Sequence, residues 1–126
     1  MSDTKAKITA VLQKYIDCSF NKDLEGLASC FHEKAVMNGY IGDFQILATP
    51  QAYIDDLASK PALKDENASK GPFKGEITIF GIKDKAASAM IVETGFNGLT
   101  FTDYMHLLEI NGEWKIFSKN FMGTPE

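Results

Sequence analysis

Residues Leu99–Met122 read LTFTDYMHLLEINGEWKIFSKNFM, and this stretch decides the fold of the chain. It contains two strand-like runs joined by Asn111-Gly112. Asn-Gly between alternating apolar runs is a strong hairpin signal, because a type I′ turn needs positive φ at both central residues. Asn97-Gly98 repeats the signal and joins Leu99–Ile110 to the preceding run, Ala86–Phe96. The sequence therefore predicts three long, consecutive antiparallel strands.

Helical spacing dominates the N-terminal part of the chain. One apolar face predicts a helix of about four turns, with Ser2 or Asp3 as its N-cap. The face that it buries contains Ile8, Val11, Leu12, Tyr15, Ile16 and Ser19. Asp23 is placed to cap a second, shorter helix, Leu24–Phe31, that buries Leu24, Leu27, Ala28 and Phe31. Gly26 indicates close packing of this helix on the first, because a helical glycine otherwise costs about 1 kcal/mol relative to alanine.

Shorter elements separate these helices from the long strands. Ala35–Tyr40 and Asp43–Leu47 have the pattern of short strands, and Thr49-Pro50 begins a helix that buries Tyr53, Ile54, Leu57 and Ala58. The polar stretch Leu63–Pro72 is predicted to be a mobile loop, and Phe73–Ile82 is predicted to be the first long strand. We therefore expect one α+β domain spanning residues 1–126, with the N-terminal helices on one face of a strongly curved, mixed or antiparallel sheet.

Composition and charge exclude several classes of protein. The 126-residue chain has a net charge of −4 and contains no arginine. Arginine is the usual bidentate reader of phosphate and guanine, so we expect no nucleic-acid partner. No run approaches the roughly 18 apolar residues of a membrane span. The N-terminus has no signal-peptide pattern, which predicts a cytoplasmic protein without a membrane partner.

Cysteine and histidine are too sparse for a metal site. Cys18 and Cys30 fall in two predicted helices, and without a CxxC motif they are interpreted as reduced, semi-buried side chains. His32 and His106 lie far apart in sequence and supply no zinc ligand set. We therefore predict neither a metal nor another cofactor.

The order of elements resembles the cone-shaped, cystatin-like fold shared by nuclear transport factor 2, scytalone dehydratase, ketosteroid isomerase and the SnoaL-like polyketide cyclases. VLQKYIDCSFNKDLEGLASCFHEKAVMNG, from Val11 to Gly39, carries the long helix, a D-L-x-x-L second helix and an F-H-x-x-A entry to the first strand. FTDYMHLLEINGEWKIFSKNF resembles the "putative lumazine-binding" branch, with D-Y-x-x-L-L followed by W-K-I-x-x-K-x-F. The resemblance implies a sheet bent around a pocket, helices that close it, and a homodimer through the outer sheet face.

Two apolar strand faces each contain one charged residue. Asp103 and Lys119 alternate with candidate pocket residues on neighbouring strands, namely Phe101, Met105, Phe117 and Phe121. Counting outward from the turn places the two charges within about one residue of opposition. Burial would be costly unless they pair. The resemblance turns this face inward, making Asp103 a candidate acid, base or anchor and Lys119 a group that tunes its pKa or holds an anionic ligand. The alternative is an ion pair on a solvated or dimer face.

Tyr15 and Gly39 are interpreted through the resemblance. By the ungapped match from Val11, Tyr15 falls where ketosteroid isomerases carry the tyrosine that donates to the oxyanion. The same match places Gly39 where their general-base carboxylate stands, so the resemblance disfavours steroid isomerisation by that route. From its position alone, a tyrosine on a buried helix face is typical of a core residue with a hydroxyl that needs a partner.

Other candidates have competing interpretations. His32 is either a pocket residue or a histidine at a helix C-terminus, where a positive charge is favourable. His106 shares a strand face with Tyr104, opposite Asp103, which predicts a surface or dimer-face position; with reversed parity it becomes the best acid–base candidate. Tyr53 and Met90 are further candidates for the pocket lining.

Three functional hypotheses follow. The first is a small-molecule-binding protein with an apolar pocket, a few polar groups and an aromatic or pterin-like ligand. The second is a pocket enzyme that isomerises, dehydrates or cyclises its substrate, with Asp103 as base and Tyr15 or Lys119 as electrophile. The third is a dimeric association module with a vestigial pocket. The missing carboxylate at Gly39 favours binding over catalysis, and whether residues 63–72 form a lid stays open.

Overall fold

Ten elements follow one another in the computed structural model, which describes residues 2–66 and 72–126. The N-terminal half contains α1 (Ser2–Asn21), α2 (Leu24–Ser29), β1 (Phe31–Ile41), β2 (Phe44–Ala48), α3 (Pro50–Ala58) and α4 (Leu63–Glu66). Four long strands then complete the sheet: β3 (Lys74–Lys83), β4 (Ala86–Phe96), β5 (Leu99–Ile110) and β6 (Glu113–Pro125). The α+β order predicted from the sequence is confirmed.

The sheet has six strands in the order β2-β1-β6-β5-β4-β3. The two Asn-Gly hairpins form as predicted: Ile110 pairs with Glu113, and Phe96 pairs with Leu99. Both asparagines have positive φ, 51° at Asn97 and 52° at Asn111, as the turn type requires. The sheet is mixed, because β1 runs parallel to β6 while all other neighbouring pairs are antiparallel.

The second helix is shorter than its sequence pattern indicates. Asp23 caps it as predicted, accepting a hydrogen bond from the backbone N–H of Gly26 at 3.0 Å. The helix ends at Ser29, and Phe31 opens β1 by pairing with Ile116 of β6. The predicted extension to Phe31 is wrong because pairing with β6 recruits this residue into the sheet. Ala28 is exposed rather than buried.

The predicted loop Leu63–Pro72 is partly helical. Residues Leu63–Glu66 form α4, and the Leu63 side chain is buried. The prediction of a mobile loop is wrong for α4. Burial of the apolar Leu63 side chain stabilises this segment, although the residues around it are polar. Residues 67–71 lie outside the described residues.

A β-bulge in β6 changes which side chains face inward. Leu107 pairs with Ile116 and His106 with Ser118, so Phe117 is an extra residue without a counterpart on β5. The predicted alternation on β5 holds throughout. On β6 the expected grouping of Phe117 with Lys119 and Phe121 is wrong, because the extra residue interrupts the alternation of the strand. Side chains on both sides of the bulge therefore point inward and are buried: Trp114, Ile116, Lys119 and Phe121.

The core lies between α1 and the concave face of the sheet. From the helix it takes Ile8, Leu12, Tyr15 and Ile16, and from the strands Ala89, Ile91, Met105, Leu107 and Ile116. Close packing of α2 on α1 at Gly26 is confirmed, since a Cβ there would lie 2.6 Å from the Cys18 Sγ atom. Cys18 and Cys30 are both buried, free cysteines. Among the described residues, no helix combines the length and apolar character of a membrane span.

Candidate functional site

A cavity of about 460 Å³ opens between α3, the strands β1 and β2, and the concave face of β4–β6. Its walls are mainly apolar and aromatic, including Met37, Ile46, Leu57, Phe96, Leu99, Phe101 and Phe121. Polar side chains meet at its inner end, where Tyr53 of α3 is half-buried and the others, from α1, β4 and β6, are buried: Tyr15, Glu93 and Lys119. An apolar cleft of this size with a few convergent polar groups has the usual form of a small-molecule site.

Lys119 is the centre of the polar cluster. Its side chain reaches inward from β6, and only 4% of the residue's surface is exposed. The Nζ atom donates to the Tyr15 Oη atom at 2.5 Å and lies 3.8 Å from the Asp103 Oδ2 atom. It also lies 4.7 to 5.1 Å from three ring centroids, those of Tyr15, Tyr53 and Phe121. Ion pairing and cation–π attraction together hold this ammonium group in one place.

Asp103 lies behind Lys119 rather than on the cavity wall. The residue is fully buried, and the predicted inward orientation of its strand face is confirmed. Asp103 pairs with Phe121, and Lys119 pairs with Met105, so the two charges are diagonal neighbours across the bulged hairpin. Burial raises the pKa of the Asp103 carboxyl, and the nearby ammonium of Lys119 opposes that increase.

Glu93 completes the cluster, and sequence reasoning missed it. On β4, Glu93 pairs with Phe101 and its neighbour Ile91 pairs with Asp103, which places the two carboxyls one row apart on the same face. Only 2% of Glu93 is exposed, and its Oε2 atom has no hydrogen-bond partner among the described residues. A signal was present in the alternation of β4, because Glu93 continues the inward set Ala87, Ala89 and Ile91.

Glu93 favours its protonated form near neutral pH. Burial, followed by the negative charge of Asp103, raises the pKa of Glu93 to about 8, whereas Lys119 lowers it. Hydrogen bonding between the pair raises the pKa of Glu93 and lowers that of Asp103, so Glu93 is the carboxyl that favours its protonated form. One proton and one ammonium group then balance the two buried acids.

The two tyrosines stay protonated and act as hydrogen-bonding groups. Their ring centroids are 6.5 Å apart, with Tyr15 coming from α1 and Tyr53 from α3. Burial is the main cause that raises the pKa of each phenol above its ordinary value. Either hydroxyl can therefore donate a hydrogen bond over the whole physiological pH range.

The sequence-predicted residues separate into two groups. Those that line the cavity are Tyr15, Tyr53, Phe101, Lys119 and Phe121. Met105 lies in the core, and Met90 alternates with the inward-facing residues of β4. His32 and Phe117 stack on each other with ring centroids 4.4 Å apart and do not line the cavity, because the bulge turns Phe117 away. His106 is exposed on the opposite sheet face, as its strand parity predicts.

The structure explains why Gly39 stands at the position where ketosteroid isomerases have a carboxylate. At this point β1 passes so close to β6 that a Cβ atom would lie 2.0 Å from the carbonyl oxygen of Phe121. No residue with a side chain fits there without moving one of the two strands. The close backbone approach therefore excludes a catalytic carboxylate at position 39.

A family model described as "Putative lumazine-binding" matches residues 3–122. The chain belongs to this family. No protein with curated annotation matches it. The resemblance drawn from the two sequence motifs is thus confirmed for the family.

Solved structures confirm the fold of this family member. A nuclear transport factor 2-like protein of unknown function from Methylobacillus flagellatus is 25% identical, with a TM-score of 0.84 over 98% of this chain and 94% of that one. Another from Shewanella baltica is 24% identical, with a TM-score of 0.85 over 99% and 97%. A cystatin-like fold protein from Burkholderia xenovorans is 13% identical, with a TM-score of 0.73 over 98% and 94%.

Proposed function

We propose that this chain is a small-molecule-binding protein and that its ligand occupies the cavity above Lys119 and Glu93. The observation that carries the proposal is the buried polar cluster at the inner end of an otherwise apolar, aromatic cavity. The aromatic walls supply area for a flat, ring-containing ligand, and the cluster supplies the few polar contacts that orient it. The family description supports an aromatic or pterin-like molecule.

The cluster also argues against a vestigial pocket. Burying two carboxyls and an ammonium group is costly even when they are paired, and hydrophobic replacements of similar volume are often neutral or stabilising. An association module would have no use for Glu93 on the cavity wall, whose Oε2 atom has no partner among the described residues. Retention of such groups favours a role in recognition or chemistry.

Proton-transfer catalysis is the second candidate function. A pKa of about 8 places Glu93 close to physiological pH, where a general acid or base is most effective. Because Glu93 faces the cavity and Asp103 lies behind Lys119, this candidate assigns proton exchange with a substrate to Glu93. Asp103 then positions the proton and the ammonium, while Tyr15 or Lys119 acts as the electrophile.

Binding of lumazine, measured by fluorescence titration, tests the proposal. We expect a one-to-one complex and, for Phe121→Ala, a loss of affinity of about tenfold or more, because this ring lines the cavity. Phe117→Ala is the matched control, since its ring stacks on His32 outside the cavity. Equal affinity of the two variants would place the ligand elsewhere. If the protein converts the bound molecule to a product and Glu93→Gln abolishes this conversion, proton-transfer catalysis is favoured.

We also propose a homodimer through the outer sheet face. This face presents exposed apolar side chains from four neighbouring strands: Val36, Tyr40, Leu47, Tyr104, Leu108 and Met122. Contiguous apolar surface of this kind usually marks an interface. The partner that matches it is a second copy of the chain, in which the same face is repeated.

A further inference from the structure

One atom at the inner end of the cavity lacks the contact that burial normally demands. Glu93 lines the cavity and is only 2% exposed, and its buried Oε2 atom accepts no hydrogen bond from any described residue. Leaving a buried acceptor without a donor costs about 1–3 kcal/mol, and more for a charged group. A ligand in the cavity that brings a donor to the Glu93 carboxyl reduces this penalty.

The neighbouring donors are committed elsewhere. Lys119 directs its ammonium group to Tyr15 and Asp103. In its protonated form the Glu93 carboxyl carries the proton on one oxygen, and its other oxygen stays an acceptor. If that proton is lost, Glu93 becomes an ionised acceptor whose Oε2 atom has no donor among the described residues. In both protonation states the Glu93 carboxyl can accept a hydrogen bond from a donor on the ligand.

From this arrangement we infer that the cavity selects aromatic ligands that present an N–H donor to Glu93 and rejects those that end in a carboxylate. The inference rests on the proposed small-molecule-binding function and names the ligand class. The inference removes the role of anion anchor that the sequence suggested for Lys119. Asp103 already balances the charge of this lysine, so Lys119 would hold an anionic ligand poorly.

Charge supports the same selection. The cluster contains two carboxyls from β4 and β5 and one ammonium from β6, so ionisation of both carboxyls leaves it with one negative charge in excess. An incoming carboxylate would add a further negative charge within an apolar wall, where repulsion is weakly screened. A protonated amine would neutralise the excess, and a neutral N–H group would leave the balance unchanged.

Four probes with one ring system separate these cases. They are 2-naphthylmethylamine, 2-naphthamide, methyl 2-naphthoate and 2-naphthoate, and their affinities are measured at pH 7 by fluorescence or calorimetric titration. The first two present N–H donors, one cationic and one neutral, whereas the last two present acceptors only. We expect the N–H probes to bind about tenfold or more tightly than the acceptor-only probes.

Two variants assign the selection to Glu93. Glu93→Gln offers its own N–H₂ group to the ligand, so the preference for donors should fall to within about twofold, with 2-naphthoate gaining affinity. Glu76→Gln is the matched control, because Glu76 is exposed on β3 and pairs with Lys74 at 3.6 Å. It should keep the full preference.

The outcomes distinguish this inference from the function on which it rests. If 2-naphthoate binds the unaltered protein as tightly as the N–H probes, the inference is overturned while small-molecule binding stands. A preference that survives in Glu93→Gln also overturns it. If none of the four probes binds at millimolar concentration, both the binding function and the inference fail.

Discussion

Among single residues, Glu93 has the greatest influence on the chemistry of the cavity. It is buried within an apolar wall and faces a second buried carboxyl, and the two causes act in the same direction on its pKa. The group therefore holds a proton at a pH where an exposed glutamate would be ionised. This links the stability of the fold to pH through a residue that lines the cavity.

Glu93→Gln should remove part of that pH dependence. The folded-state pKa of about 8 lies above the ordinary value of 4.5, so the stability contributed by the proton is fully present below pH 4.5 and is lost as pH rises through 8. Between pH 5 and pH 8, the free energy of unfolding of the unaltered protein should therefore fall by about 3 kcal/mol more than that of the variant. Urea unfolding at both pH values measures this, with Glu76→Gln as control. Parallel pH profiles would contradict the assignment.

Lys119→Met should be strongly destabilising. It removes the ammonium group that offsets Asp103 and Glu93, and breaking a buried ion pair from one side typically costs about 3–5 kcal/mol. The double variant Lys119→Met/Asp103→Asn should recover part of the loss, because it also removes the carboxylate left unpaired. Urea unfolding at pH 7 compares the two proteins. An equal loss in both would show that packing of the lysine stem, and not its charge, is what matters.

Among the elements, the parallel pair β1–β6 decides the shape of the site. Gly39 lies directly opposite Phe121 in this pair, and their backbones approach closely. That contact brings β1 against the strand that carries Lys119 and completes one wall of the cavity. The bulge at Phe117 acts on the same strand, since it restores Lys119 and Phe121 to the inward face.

Gly39→Ala should destabilise the protein by at least about 2 kcal/mol, because the new Cβ would lie 2.0 Å from a backbone oxygen. Thermal or urea unfolding measures the effect. Gly81→Ala is the control: it is a strand glycine with open space around its Cβ position and should change stability by less than about 0.5 kcal/mol. Similar losses in both variants would point to general strand effects of glycine.

For the whole molecule, the question is what covers the outer sheet face. Tyr104 is 50% exposed and Leu47 is 73% exposed, on a face whose other strands are also partly apolar. A stable interface usually buries about 800 Å² on each partner, which a face formed by six strands can supply. The homodimer proposed above would place its cavities on the sides away from this interface.

Tyr104→Lys should convert the dimer to a monomer at micromolar concentration, because it places a charge within the apolar face. Sedimentation velocity measures the oligomeric state. Ala28→Lys, an exposed position on α2, is the control and should remain dimeric. A monomeric unaltered protein would contradict the interface itself, whereas a dimeric Tyr104→Lys would move it to another surface.

The sequence by itself determined the strand meander, the turns and the direction of the β5 side chains. These follow from local rules: Asn-Gly adopts the positive φ values of a tight turn, and strand residues alternate between two faces. That is enough to predict that Asp103 points inward and His106 outward, and that Asp103 and Lys119 lie close together. The capping of α2 by Asp23 is similarly local.

Only the tertiary structure decided the rest. The recruitment of Phe31 into β1 and the parallel β1–β6 pairing depend on residues about 80 positions apart, and such pairing has no local signal. The bulge at Phe117 is a property of two strands together, and it places Trp114 and Ile116 on the same face as Lys119, against the alternation expected for β6. Glu93 became a site residue because strand register brings it beside Asp103 and Lys119, where burial changes its protonation. Chemistry of that kind depends on the distance and solvation of groups that the chain order keeps apart.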